Sequence, residues 1–233
     1  MTIAVIGAMD EEVELLKSKL ENREDDKAGG TYFHYGSIHN EEVVLIKSGI
    51  GKVNAAIATT LVLQKYQPEI VINTGSAGGF NPELEVGDLV VSSEVRYNDV
   101  DATVFGYEYG QVPQMPAMYS ADKQLVEQTK MCADQENISI EAGLILSGDS
   151  FMSGESEVDY LKKTFINPQC SEMEAGAIAQ VCYRFDIPFV VIRALSDIAG
   201  KDAKQSYDQF LETASVNSAN LVLSMIDHHQ KNK

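Results

Sequence analysis

Along the chain, short unbroken apolar runs alternate with stretches whose apolar residues recur at helical spacing. "TIAVIGAM" reads as a strand, and a helix using Val13, Leu16 and Leu20 follows it. "EEVVLIKSG" is a second strand, and after "GIGKVN" a helical pattern runs through Val53, Ile57 and Leu61. "EIVINTGSAGGF", "DLVVSSEV", "AGLILSGDSF" and "PFVVIRALSD" are further buried strands, each ending in a polar or glycine-rich turn. In "SEMEAGAIAQ" (171–180), Glu172 and Glu174 precede Ile178, Val181, Cys182 and Phe185. This spacing predicts a helix over about 174–186 with acids at its positive end. A last helix carries Tyr207, Phe210, Leu211, Ala214, Leu221, Val222 and Met225 on one face.

Strands that are apolar throughout, interleaved with helices, predict an α/β fold with a largely parallel sheet covered on both sides. The chain shows no repeat, low-complexity tract or linker, so a single domain over 1–233 is expected. The stretch 97–120 is the least regular and the most aromatic, with Tyr97, Phe105, Tyr107, Tyr109 and Tyr119 beside Pro113 and Pro116. It is expected to be buried against a ligand, a neighbouring subunit or its own core.

Composition narrows the function. Hydrophobic residues make up 44% of the 233, enough for a sizeable core. A formal charge of -17 argues against nucleic acid or an anionic membrane as partner. Arginine occurs at 23, 96, 184 and 193 alone, too few for a polyanion clamp. Cys132, Cys170 and Cys182 lack metal-ligand spacing and read as free thiols in a reducing compartment. His34, His39, His228 and His229 form no metal motif, the terminal pair reading as an exposed helix end, and no metal is expected. "MTIAVIGAMDEE" is no signal peptide, and no apolar run is long enough to span a bilayer. A cytoplasmic protein is expected.

In open α/β sheets ligands bind at the carboxyl ends of strands. That rule selects Met9 to Glu12, Gly75 to Gly79, Asp149 to Met152, and Ser196 with Asp197. "GIGKVN" satisfies neither a dinucleotide fingerprint nor a P-loop and reads as a turn into a helix. "GSAGGF" is either a tight turn or a ligand-approaching backbone; without a nearby cation, a neutral sugar or base suits it better than phosphate. Asp10 and Glu11 read as helix-dipole acids, whereas the role of Glu12 depends on what stands opposite it. Asp197 is either an N-cap or a carboxyl that burial keeps protonated near neutral pH. Arg193 reads as its structural ion-pair partner.

Taken together, "AVIGAMDEEVE", "KSGIGKVNAA", "INTGSAGGF", "VGDLVVSSEVRYNDVD", "GDSFM", "EMEAGAIAQVC" and "FVVIRALSDIAG" closely resemble the 5'-methylthioadenosine/S-adenosylhomocysteine nucleosidases. The motifs span positions 3–200 in the family's order. The resemblance implies a three-layer αβα sandwich of the nucleoside phosphorylase type with a central, mostly parallel twisted sheet. It also implies a homodimer acting on small adenine nucleosides, with no metal or organic cofactor. The reaction it implies is hydrolysis of the adenine–ribose bond in methylthioadenosine, adenosylhomocysteine and 5'-deoxyadenosine.

The same resemblance implies that Asp197 is the acid that protonates adenine N7, oriented by Ser196, and that Glu12 is the base that activates water. Glu174 would accept bonds from the ribose hydroxyls, which suits a group that offers acceptors only. Met173 would pack on the sugar, Phe151 would stack on adenine, and the Met152 backbone would meet its edge. Ser76, Ala77 and Gly78 would line sugar and base. Met9, Ile50 and Tyr207 are further substrate contacts, and Glu172 lies on the ribose side or behind it. Phe105 and Pro113 would reach into the partner subunit's pocket. Met152, Tyr207 and Gly176 depart from frequent family residues; Gly176, in place of alanine, should cost at most about 1 kcal/mol of helix propensity. A phosphorylase of the same fold is the nearest rival, disfavoured by the acids Asp10, Glu11 and Glu12; a non-enzymatic nucleoside sensor would need no acid and base together.

Overall fold

The computed structural model describes residues 2–200 and 203–231. Strand β1 (Thr2–Gly7) leads to helix α1 (Asp10–Ser18), then β2 (Glu21–Ala28), β3 (Thr31–Ile38), β4 (Glu41–Lys47) and α2 (Lys52–Tyr66). β5 (Ile70–Gly79) and β6 (Leu89–Tyr97) precede a 3-10 turn over Thr103–Phe105 and the short β7 (Tyr119–Ser120). Helix α3 (Lys123–Gln135), β8 (Ile140–Ser147), α4 (Glu155–Thr164), β9 (Pro168–Glu172), α5 (Ala175–Phe185), β10 (Phe189–Ile198) and α6 (Ala203–Lys231) follow.

All strands join one sheet. β1 pairs in parallel with β4 and β5, and β5 with β10. This is the parallel body expected from the apolar runs: Ile3 to Ile6, Val43 to Ile46, Val71, Ile72 and Val190 to Ile192 are all buried. Such strands need cover on both faces. Helices α1 and α6 pack together as one layer, α2 and α5 as another.

Two features extend this picture. β10 also pairs antiparallel with β6, and β6, β8 and β9 lead back to the end of β5, closing a ring of five strands. β2 and β3 add an antiparallel hairpin beyond β4 that the apolar pattern does not predict, because β2 reads "ENREDDKA" and is almost wholly exposed.

The predicted helix over 174–186 is α5, with Glu174 at its N-cap. "GIGKVN" is the predicted turn into α2, with Gly49 and Gly51 at φ +87° and +94°. The aromatic stretch divides. Tyr97 and Tyr119 are buried edge to face, and Tyr109 packs on Tyr160 and Phe165. Val104 and Phe105 are 85% and 79% exposed.

Candidate active site

One cleft, with a cavity volume of about 190 Å³, gathers the strand ends; small-molecule sites are concave, mostly apolar clefts with a few convergent polar groups. Met9, Glu12, Ile50, Ser76, Ala77, Gly78, Phe151, Met152, Glu172, Met173, Glu174, Ser196, Asp197 and Tyr207 all line it. Ser150, within the predicted strand end Asp149 to Met152, lines it too, as do Ala8 and Ser171, which the sequence does not single out because small residues beside a motif carry no signal of their own. Phe105 and Pro113 are exposed and lie outside this cleft. Asp149 also turns away from it, toward Lys52. Among the described lining residues there is no lysine, arginine or histidine.

Glu12, whose role the sequence left to what stands opposite it, is bonded through both of its oxygens. Its Oε2 accepts the Ala8 and Met9 amides at 2.7 and 3.2 Å, closing the start of α1. Its Oε1 accepts the Ser76 amide and hydroxyl of β5 at 3.0 and 3.3 Å. Every one of these neighbours is a donor. A Cβ on Gly75 would collide with this carboxylate and with the Arg193 guanidinium, so the backbone of β5 passes between them only as glycine. Asp10, by contrast, reaches out to Lys47 at 2.7 Å, and Glu11 is exposed. Of the three acids that end β1, Glu12 alone faces the cleft.

The two glutamates at the start of α5 divide the work. Glu172, not Glu174, satisfies the helix start: it accepts the Glu174 amide at 2.9 Å and the Ala175 amide at 2.8 and 3.0 Å. Arg193, fully buried on β10, donates to Glu172 at 2.5 Å and to Asn73 Oδ1 at 2.6 Å. It thus makes the structural ion pair expected of it, with Glu172 as its partner rather than Asp197. Glu174 is left facing the cleft, with Oε1 accepting the Gly51 amide at 2.9 Å and Oε2 3.6 Å from Arg193. Burial, and then the Glu172 carboxylate, raise its pKa to about 8 against the pull of Arg193.

Asp197 sits inside β10, before α6 begins at Ala203, so it is no N-cap. A bulge between Leu195 and Asp197 places Asp197 opposite Gly78. A Cβ on Gly78 would stand 2.9 Å from Asp197 Oδ2, so glycine leaves room for the carboxyl. The Ser196 hydroxyl donates to Oδ1 at 2.9 Å. Burial raises this carboxyl to about 6, with the Ser196 bond working the other way. At the mouth, Phe151 and Tyr207 meet edge to face at 5.6 Å, and the Tyr207 hydroxyl points to the Met9 sulfur at 3.4 Å.

Comparison with known proteins agrees with this geometry. The sequence profile of the Phosphorylase superfamily matches residues 2–227. The 5'-methylthioadenosine/S-adenosylhomocysteine nucleosidase of Halalkalibacterium halodurans is 64% identical over 96% of this chain and 97% of that protein. The Neisseria meningitidis nucleosidase of the same name, crystallised with methylthio-immucillin-A, aligns with a TM-score of 0.96 at 45% identity, covering 97% of this chain and 99% of that one. The Colwellia psychrerythraea nucleosidase, crystallised with adenine, aligns with a TM-score of 0.93 at 48% identity, over 97% and 94% of the two chains. The chain belongs to the phosphorylase superfamily and, within it, to the 5'-methylthioadenosine/S-adenosylhomocysteine nucleosidases.

Proposed function

We propose that the protein hydrolyses the N-glycosidic bond of 5'-methylthioadenosine, S-adenosylhomocysteine and 5'-deoxyadenosine, releasing adenine and the 5-substituted ribose for methionine salvage. One observation carries this reading. Four buried carboxyl groups line a single cleft that has no basic side chain among its described lining residues, and two of them, Glu12 and Asp197, stand on different elements free of the Arg193 ion pair.

Adenine leaves poorly unless a ring nitrogen gains a proton, and water attacks poorly unless it loses one. Asp197, whose carboxyl burial raises above the ordinary range, is the group assigned to deliver a proton to adenine N7, with Ser196 orienting it. Glu12, met by donors alone, takes the proton of the attacking water. Glu174 grips the ribose hydroxyls and Met173 packs on the sugar. Ser76, Ala77 and Gly78 line sugar and base, Phe151 stacks on adenine, and Met9, Ile50 and Tyr207 complete the contacts. Each proton moved has a side chain of this chain assigned to it, and no cofactor enters the scheme.

A phosphorylase would need cations where its anionic nucleophile sits. Arg193 lies nearest, but it is committed to Glu172 and Asn73. Purified protein given methylthioadenosine should therefore release adenine in phosphate-free buffer. Strict dependence on added phosphate would move it to the phosphorylases.

The working unit we propose is a cytoplasmic homodimer of single-domain subunits. Helix α2 supports the dimer: Ala55, Ala58, Val62 and Leu63 are buried, yet Val53 and Ile57 on its other side are exposed. A helix apolar all round calls for a second cover. Tyr183 and Phe185 of the adjoining α5 are likewise half-exposed. Phe105 and Pro113 would enter the partner's cleft. Free buried cysteines suit the cytoplasm, and no helix among the described residues is long and apolar enough to cross a membrane.

A further inference from the structure

Outside the cleft, three loops meet at a compact ionic cluster. Lys52, the first residue of α2, grips both oxygens of Asp99 at 2.7 and 2.6 Å. Asp99 Oδ2 also accepts the Asp149 amide at 2.9 Å. Asp149 returns the contact, its Oδ1 accepting the Lys52 amide at 2.8 Å and its Oδ2 lying 3.9 Å from Lys52 Nζ. The cluster is partly open to solvent, with side-chain exposures of 22%, 27% and 47% for Lys52, Asp99 and Asp149.

What the loops carry gives the cluster its meaning. Next to Lys52 is Gly51, whose amide donates to Glu174, and then Ile50 on the cleft. Just after Asp149 come Ser150 and Phe151, also on the cleft. Asp99 opens the segment that leads to exposed Phe105. A Cβ on Gly51 would stand 3.1 Å from Asp149 Oδ1, so the two loops are already in close contact. One lysine holds two carboxylates that would otherwise repel each other and part the loops.

We infer that the Lys52–Asp99–Asp149 cluster is a positioning device that sets substrate affinity. It fixes the Gly51 amide against Glu174 and holds Phe151 over the cleft. None of its three residues lines the cleft, and the inference rests on the nucleosidase reading above. Its effect falls on KM rather than on kcat, because the acid and base stand on β10 and α1, away from these loops.

The test measures KM and kcat for methylthioadenosine in wild type, Lys52→Met, Asp149→Asn and the double variant, at about 20 mM and about 0.5 M salt. Lys52→Met should raise KM about three- to ten-fold with kcat within about two-fold, in keeping with a partly exposed ionic network. Adding Asp149→Asn relieves the repulsion and should recover more than half of that rise, a non-additivity expected of coupled neighbours. Salt should act in opposite directions, raising KM in wild type by screening attraction and lowering it in Lys52→Met by screening repulsion. An unmoved KM, additive variants or parallel salt slopes would each overturn the inference. If Lys52→Met fails to fold, Asp149→Asn alone must still raise KM and flatten the wild-type salt slope. Wild type run alongside separates the two claims: no adenine from wild type counts against the nucleosidase reading, and normal wild-type turnover with unmoved variants counts against the positioning role.

Discussion

Asp197 and Glu12 are each 2% exposed, yet their surroundings differ in kind. Asp197 meets one hydroxyl, whereas Glu12 meets three amides and a hydroxyl. The difference predicts a split by leaving group. Asp197→Asn cannot deliver a proton, so hydrolysis of adenine nucleosides should fall by about 10²–10⁴-fold or more. A 5-methylthioribosyl substrate with p-nitrophenolate as leaving group needs little protonation and should suffer far less. Glu12→Gln should slow both. Equal losses for Asp197→Asn on the two substrates would make Asp197 a binding or structural residue. Glu174 supplies a second prediction, in stability. Its pKa is raised on folding, so the native state holds its proton more tightly than the unfolded chain does. The stability this contributes is complete below about 4.5 and is lost as pH rises toward about 8. Glu174→Gln lacks that loss, so its unfolding free energy, read by denaturant titration, should gain on wild type across this window by an amount on the order of a few kcal/mol. A gap that stays constant with pH would show that Glu174 does not titrate there. Met9, Glu12, Ser76 to Gly78, Phe151, Met152, Ser196 and Asp197 were legible in the sequence because each lies where an apolar strand ends, whereas Ile50, Met173 and Tyr207 came only with the family resemblance. Which glutamate caps α5 was not, since that depends on Arg193 arriving from β10.

At the scale of elements, Gly176 corrects a sequence argument. Helix propensity alone makes glycine there a loss of about 1 kcal/mol against alanine. In the structure a Cβ at Gly176 would lie 2.6 Å from Tyr97 Cε1 and 3.0 Å from Ser147 Cβ. The Tyr97 ring therefore occupies the space that an alanine would need, anchored by its hydroxyl on Gln180 at 2.8 Å. Overpacking costs about 1–3 kcal/mol, which exceeds the propensity gain. Gly176→Ala should thus lower stability in wild type and become neutral or better beside Tyr97→Leu. Denaturant titration of the two singles and the double closes this cycle, and a stabilising Gly176→Ala in wild type would refute it. The elements that the sequence hid share a physical reason. β2 is an edge strand whose charges guard an open ladder, so its apolar signal is erased by the device that keeps it soluble. β9, "PQCSE", is short and polar in composition yet buried, because it closes the ring between β8 and β5. Central strands declare themselves by being apolar; strands placed by their neighbours do not.

At the scale of the whole molecule, several exposed apolar groups fall on α2 with the turn before it and on the 97–120 stretch. Ile50 stands at the cleft mouth, Val53 and Ile57 follow it along α2, and Val104 and Phe105 project from the 97–120 stretch. A chain with a charge of -17 has no shortage of polar residues to place on its surface, so apolar residues kept there call for a partner. A second copy is the partner that would also give Phe105 a task, since it does not line the candidate active site of its own chain. Phe105 would then cover the 5'-substituent bound in the other subunit. Removing the ring should matter in proportion to the apolar surface that the substituent offers. Phe105→Ala should raise KM for methylthioadenosine more than for adenosine, whose 5'-hydroxyl gains little from an apolar cover. Burying a phenylalanine side chain is worth about 1.5–3 kcal/mol, so a selective loss of about ten-fold is the expected scale. Sedimentation should show a dimer at assay concentrations for both wild type and Phe105→Ala, because the proposed main face is α2 with α5 and does not depend on Phe105. A wild-type monomer that is fully active at nanomolar concentration would refute the shared pocket, and equal losses on the two substrates would refute the task assigned to Phe105.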